Sequence, residues 1–383
     1  MIIRRFTLNN IKIPTFGGIE QRKSPLKIAD NRSFDASNVV LNNPYGALNN
    51  LVGMTKWSTA GVGKPILALW QMRDRSICFQ VGSYLNSSLG KWYNGKWIFN
   101  QDLDTFNSIS AGVRAWNWIC STPTNDLYAC VYNGLIYKLT NSTGSWVAQT
   151  STSAKYQSIC STPSGDIYVA INGGSILKQT GGTGAFVAQS VSGSYFWQVY
   201  STQSGDVYYG TESGDIYKQT GGIGAFVAQS AVSKWWYRFT SISNGDVYAA
   251  VYGGDIYKQT GGIGAFVALG VGNKNWRFLY STPSDDVYAA VYGGDIYKQT
   301  GGTGAFVAQG TGSKNWMSIS SLSNGDVYSC VVNGDIYKQT GGIGAFVAQL
   351  ASSLTWWIMT TNSADELYLC CFNENIYKAT IAE

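Results

Sequence analysis

The chain contains no histidine, which excludes Ser–His triads, histidine general bases and histidine-bound zinc together. Proline is scarce, at 7 of 383 residues, and no apolar stretch approaches the ~18 residues of a membrane-spanning helix. Charged residues make up only 13% while aromatics reach 14%, the reverse of the balance that keeps a chain disordered. The 7 cysteines are odd in number and form no CxxC pair. Cys120 and Cys160 share one place in the repeat described below, as do Cys130, Cys330 and Cys370. Small apolar fillers of strands, kept reduced in a cytosol, are therefore expected rather than disulfides. Met1 to Pro14 carries Arg4 and Arg5 but no apolar core or cleavage site, so no secretory signal is expected.

What the chain does have is 45 Gly and 25 Tyr, the composition of a turn-rich all-β protein. From residue 116 onward the sequence repeats with a period of 40. Tyr128, Tyr168, Tyr208, Tyr248, Tyr288, Tyr328 and Tyr368 mark one column; Trp116, Tyr156, Phe196, Trp236, Trp276, Trp316 and Trp356 mark another. A period near 40 built of short β-type segments is the signature of propeller blades. In the copy at 235–269, Trp236–Ser241 reads as a first strand and Asp246–Tyr252 as a second. Gly253 and Gly254 form a two-residue hairpin turn, followed by a third strand, Asp255–Thr260. Gly261 to Gly264 then turns the chain into a short outer strand from Phe266.

The first three strands occur seven times but the outer strand only six. An uncovered edge invites aggregation, so an upstream segment is expected to fill it, with Gly46–Trp57 the best candidate. Residues 65–101 read as a diverged blade. The expected fold is an all-β propeller of four-stranded blades closed by an N-terminal strand. Eight blades are favoured; the alternative is seven, with 65–101 packed outside the ring formed by repeats 112–383.

Charge is concentrated at the start. Residues 1–35 hold Arg4, Arg5, Lys12, Arg22, Lys23, Lys27 and Arg32 against Glu20, Asp30 and Asp35, so most of the net charge of +5 lies there. Residues 1–45 read as an extended basic arm that either docks on an acidic neighbour or is solvated.

The segment Ile216-Tyr-Lys-Gln-Thr-Gly-Gly-Ile-Gly-Ala-Phe226 resembles the Asp-box turn of sialidase-type propellers, without the Asp of that box. In that family the box is a structural turn, so the resemblance implies fold and not glycoside cleavage. The Trp-led strand followed by Gly-Asp-Val-Tyr looks like tectonin-type lectin repeats. Thr15-Phe-Gly-Gly-Ile-Glu20, Asp35-Ala-Ser-Asn-Val-Val40 and Gly53-Met-Thr-Lys-Trp57 are similar to the start of tail-hub, or nozzle, proteins of short-tailed bacteriophages. This last resemblance implies a structural role in oligomeric rings of the tail.

Several columns admit a functional and a structural reading. Lys138, Lys178, Lys218, Lys258, Lys298, Lys338 and Lys378 would ring the propeller with positive charge and bind phosphate. Neutralisation by the aspartates at 206, 246, 286 and 326, or at 215, 255, 295 and 335, is the preferred reading. The aromatic columns are assigned to the core between blades. Tyr195, Trp235 and Trp357 stand outside those columns and are the candidate glycan contacts. Gly181-Gly182-x-Gly184 lacks the Lys-Ser/Thr and helix of a phosphate loop, and one carboxylate per blade falls short of a calcium site. No cofactor, metal or catalytic residue is expected, because the acidic residues recur around the ring whereas an active site needs asymmetry.

The resulting expectation is a bacteriophage virion structural protein of the tail, assembled in the bacterial cytoplasm. Arg4, Arg5, Arg22, Lys23, Lys27 and Arg32 would then form its assembly arm. Its partners would be copies of itself and other tail or connector proteins, with no membrane and no sequence-specific nucleic acid. The alternative is a carbohydrate-binding propeller, either a phage receptor-binding protein or a free lectin, with a host surface glycan as partner and avidity from repeated blades.

Overall fold

The computed structural model describes residues 103–191 and 195–381, together with the backbone of six strands before them. The chain divides into two compact units, residues 1–104 with 381–383, and Thr105–Thr380. In the first unit, Val39–Asn42 pairs with Ala47–Asn50 as a hairpin. Ile66–Gln71, Ile77–Ser83, Asn86–Tyr93 and Lys96–Phe99 form a four-stranded antiparallel sheet in sequential order. That is the sequential connectivity of an antiparallel meander.

The second unit consists of seven four-stranded antiparallel sheets. The fourth is typical, with strands Trp236–Ser241, Val247–Gly254, Ile256–Gln259 and Val267–Ala268. Successive first strands pack against one another around the axis, while the two-residue outer strands pair with the third strand of their own sheet. Each sheet is covered on both faces by its neighbours, so the second strand is apolar throughout: Val247, Tyr248, Ala249 and Ala250 are all fully buried. Small Ala and Cys side chains at 250, 290, 330 and 370 fit near the axis. The indoles of Trp116, Trp236, Trp276, Trp316 and Trp356 fill the wedges between sheets, each edge-on to the tyrosine of the third strand, as in Trp236–Tyr257 at 5.1 Å. The six described cysteines are unbridged. Burial raises the thiols of Cys120, Cys130, Cys160, Cys330, Cys370 and Cys371, so they stay neutral apolar filling.

Three expectations need correction. The outer edge of the seventh sheet is held by Thr105–Ser108, which pairs with Ile376–Thr380 from Ser108↔Tyr377 to Thr105↔Thr380. Gly46–Trp57 does not hold it: Ala47–Asn50 is already paired with Val39–Asn42, which also makes the end of the supposed arm a strand. The ring closes with seven blades, since the seventh lies directly beside the first through Phe372↔Ala115 and Glu374↔Arg114. At that joint Ser121 Oγ donates to the Thr361 carbonyl at 2.8 Å. Finally, the second hairpin turn is longer than two glycines. Val251 N–H donates to Asp255 O, which frees Tyr252 and Gly254 to pair with Asn275 and Lys274 of the next blade. The turn is thus also a stitch between blades, which a reading of one blade alone cannot see.

Candidate functional site

The lysine column is accounted for inside the blades. Lys258 Nζ lies 2.6 Å from Asp246 Oδ2 and donates to the Gly302 carbonyl of the next blade at 3.2 Å. Asp246 Oδ1 accepts from the Gly261 N–H at 2.7 Å. Tyr248 Oη faces Gln299 Oε1 at 2.8 Å and the Gly302 carbonyl at 3.0 Å. The same ion pair recurs from Lys138–Asp126 to Lys338–Asp326, and as Lys378–Glu366 in the seventh blade. Burial works against the charge of Lys258, but hydrogen bonds with Asp246 and Tyr248 outweigh it and hold the ammonium above its ordinary value. This collar clamps blade to blade. The second aspartate column does a different job: Asp255 accepts from the N–H groups of Gly270, Val271 and Gly272 and so fixes the loop that leads into the next first strand.

Those loops deliver the first strands to the mouth of the axis, and there the copies diverge. One residue after the buried aromatic column stand Asn117, Gln157, Trp197, Tyr237, Arg277, Met317 and Trp357, six residue types in seven copies. Along the third and fourth blades the rings are contiguous: Trp197 lies 5.9 Å from Trp235 and 5.0 Å from Tyr237, and Tyr252 lies 4.8 Å from Trp235 and 5.6 Å from Tyr237. Arg277 sits between Tyr237 at 5.4 Å and Trp357 at 5.3 Å, and its Nη1 donates to the Tyr237 hydroxyl. Trp357 is held by Nε1 donating to Asn117 Oδ1 at 3.1 Å.

One layer deeper the axis is filled. Trp118 and Phe278, from the first and fifth blades, approach to 6.1 Å. The Arg238 guanidinium lies 4.9 Å from the Trp118 ring and 4.0 Å from Tyr237. All three side chains are buried, Arg238 at 4% exposure. Arg238 Nη1 donates to the carbonyls of Tyr237 at 2.9 Å and Trp197 at 3.4 Å, and its Nε has no partner. Among the described residues no carboxylate lies within ion-pair distance of Arg238 or Arg277. Burial, with the like charge of Arg277 adding to it, lowers Arg238 to about 10. It remains a cation at neutral pH.

Of the glycan contacts expected from the sequence, Trp235 and Trp357 are half-buried here, Trp235 against Trp197 and Tyr252 and Trp357 beside Arg277. Tyr195 is exposed at 54% and joins none of the stacked rings. Trp197, Tyr237, Tyr252, Arg238 and Arg277 escaped sequence reasoning, which followed columns that repeat. The signal was the opposite one, a column in a repeat protein whose occupants differ. Arg4, Arg5, Arg22, Lys23, Lys27 and Arg32 lie outside the described residues. Among the described residues no cluster of three or more Cys, Asp or Glu stands ready to hold a metal ion, and no helix is long and apolar enough to cross a membrane.

No protein-family model and no curated protein matches the chain. Solved structures do resemble it. YCF48 from Cyanidioschyzon merolae aligns at a TM-score of 0.57 and 12% identity over 72% of this chain and 98% of its own. Virginiamycin B lyase from Staphylococcus aureus aligns at 0.59 and 11%, over 72% and 98%. The extracellular domain of the hybrid two-component system BT3049 from B. thetaiotaomicron aligns at 0.60 and 12%, over 86% and 48%. These are propeller-like folds of varied function, and at such identity they share the fold alone.

Proposed function

We propose that this propeller is a carbohydrate-binding protein whose ligand sits at the mouth of the axis, and that it is not an enzyme. The observation that carries the reading is the contiguous aromatic wall of Trp197, Trp235 and Tyr252, backed by the buried ring of Tyr237. It stands where the residues that follow the buried aromatic column differ from blade to blade. Flat rings present apolar faces for sugar stacking and polar tips for hydroxyl groups. Among the described residues, the cations placed here are the guanidiniums of Arg238 and Arg277, a group that suits binding better than proton transfer. One asymmetric site per chain replaces the seven equivalent weak sites that repetition alone suggests.

A glycan array with the intact chain, followed by titration of any hit against Trp235→Ala and Trp197→Ala, tests this. The expected result is saccharide binding that each substitution weakens at least about tenfold, the loss of one stacking contact. Silence of the wild-type chain on every glycan would sink the proposal. The tail-protein resemblance of residues 15–57 supports carriage of this site on a virion as a receptor-binding protein. Gold-labelled antibody on phage particles tests it: label at the distal tail is the expected outcome, and label on no particle removes the virion from the reading.

A further inference from the structure

Two cations at the mouth of the axis lack what every collar lysine has. Lys138, Lys178, Lys218, Lys258, Lys298, Lys338 and Lys378 each face a carboxylate. Arg238 is as buried as any of them and Arg277 stands beside it in the next blade, yet among the described residues neither meets an anion. Leaving a charge out of water without a counter-charge is strongly unfavourable, and placing a second like charge next to it compounds the penalty. Other blades fill these same two columns with neutral side chains, such as Asn117, Gln157 and Met317, or Ser158, Gln198 and Ser318. The fold therefore does not require arginine at either place.

The geometry also shows where a counter-charge fits. Arg238 is locked behind the aromatic wall by the carbonyls of Tyr237 and Trp197. Arg277 is half-buried at the mouth, gripped between Tyr237 and Trp357, with Nη1 used by the Tyr237 hydroxyl and Nε without a partner. A guanidinium has five donors in a planar fork. Arg277 is thus a half-buried guanidinium at the mouth whose buried Nε–H has no partner, with the field of Arg238 behind it.

Resting on the carbohydrate reading above, we infer that the ligand is an acidic saccharide whose carboxylate or sulfate ester seats on Arg277 in front of Arg238 while its ring stacks on the Trp197–Trp235 wall. A charge-assisted, two-pronged contact in a partly desolvated site is among the stronger polar interactions available. A neutral sugar would stack equally well but leave both arginines uncompensated.

Calorimetric titration of the intact chain with three probes tests the inference: an oligogalacturonate, the same oligosaccharide with its carboxyl groups reduced, and a sulfated dextran oligosaccharide. The acidic probe is expected to bind at least about 30-fold more tightly than its reduced form, and Arg277→Gln to bring that ratio close to one. Affinity for the acidic probe, and not for the neutral one, should fall as salt is raised. Comparison of the carboxylated with the sulfated probe tells which anion the fork prefers. Equal affinity for acidic and reduced probes overturns the inference and leaves the carbohydrate reading standing. If no saccharide binds while a short peptide with a free C-terminal carboxylate does, both fall and an anion site for another ligand class replaces them. Thermal melting of Arg277→Gln separates lost binding from lost fold. Arg277→Lys, which keeps charge but loses the fork, should recover only part of the preference.

Discussion

The collar and the mouth are built from the same repeat and teach opposite lessons. At the collar, one constellation of Asp, Tyr, Lys and Gly is copied around the ring, because every joint between blades poses the same problem. At the mouth, one residue past a column that is aromatic in every copy, the seven copies carry Asn117, Gln157, Trp197, Tyr237, Arg277, Met317 and Trp357. A scaffold gains from sameness, whereas a ligand with one head and one tail needs each wall of its site to differ. In the collar each lysine meets a carboxylate; at the mouth two arginines meet none among the described residues.

The sharpest way to break this contrast is to show that framework positions are not equivalent. Trp236→Ala and Trp276→Ala remove fully buried indoles from successive blades, and each should cost about 3–5 kcal/mol in denaturant unfolding. A gap of more than about 2 kcal/mol between the two would mean the copies have diverged in packing as well as at the mouth. The next effect is smaller. Lys258→Ala and Lys218→Ala strip a partly buried carboxylate of its partner and a carbonyl of its donor, and should each lose about 2 kcal/mol.

Titration reaches the same collar without mutation. Lys138, Lys178, Lys218 and Lys258 are held above their ordinary values against the opposing pull of burial, by hydrogen bonds led by those to their aspartates. Burial raises the phenols of Tyr128, Tyr168, Tyr208 and Tyr248. A raised folded value means the native state binds the proton more tightly than the unfolded chain. The stabilisation is complete below the ordinary values near 10 and disappears as pH climbs through the folded ones. Melting temperature should therefore fall steeply above about pH 10. A flat profile there would show that the collar carries little of the stability.

How much of this was legible in the sequence depends on which region is asked. Repeat length, strand order and the aromatic wedges follow from Trp236, Tyr248 and Tyr257 recurring every 40 residues. The Asp246–Lys258 pair follows too, once neighbouring strands are aligned, because Tyr248↔Lys258 is the register of a tight hairpin. Blade count was not legible. Thr105–Ser108 is four residues of edge strand with no aromatic marker, and only its pairing with Ile376–Thr380 distinguishes it from a linker. The mouth was half legible: Trp235 and Trp357 stood out as aromatics outside the columns, but Arg238 and Arg277 hide in strands that look like core.

Two smaller effects sharpen the contrast from the other side. Gly210 occupies the place of Ala170, Ala250 and Ala290, yet a Cβ there would stand 2.4 Å from that of Trp236. Gly210→Ala should cost about 1–3 kcal/mol although alanine is native in three sister blades. A neutral result would mean the third and fourth blades can part without penalty. Arg238→Met should behave in the opposite sense from every framework change. Removing a buried, uncompensated cation is expected to leave stability unchanged or raise it by about 1 kcal/mol at neutral pH. Because burial lowers this group to about 10, the native state holds its proton less well than the unfolded chain. The gain should therefore shrink as pH rises past that value. A loss of 2 kcal/mol or more would recast Arg238 as framework.

The strand Thr105–Ser108 has a mechanical consequence. It meets Ile376–Thr380 with Thr105 opposite Thr380 and Ser108 opposite Tyr377, so the two flanking segments of chain leave the ring from the same end of one ladder. Tension applied through them would load that ladder one rung at a time, as a zip is opened, rather than all rungs together. Such a pull would strip the outer edge from the seventh blade, while the separate stitch from Phe372 to Ala115 and Glu374 to Arg114 would still hold that blade to the first.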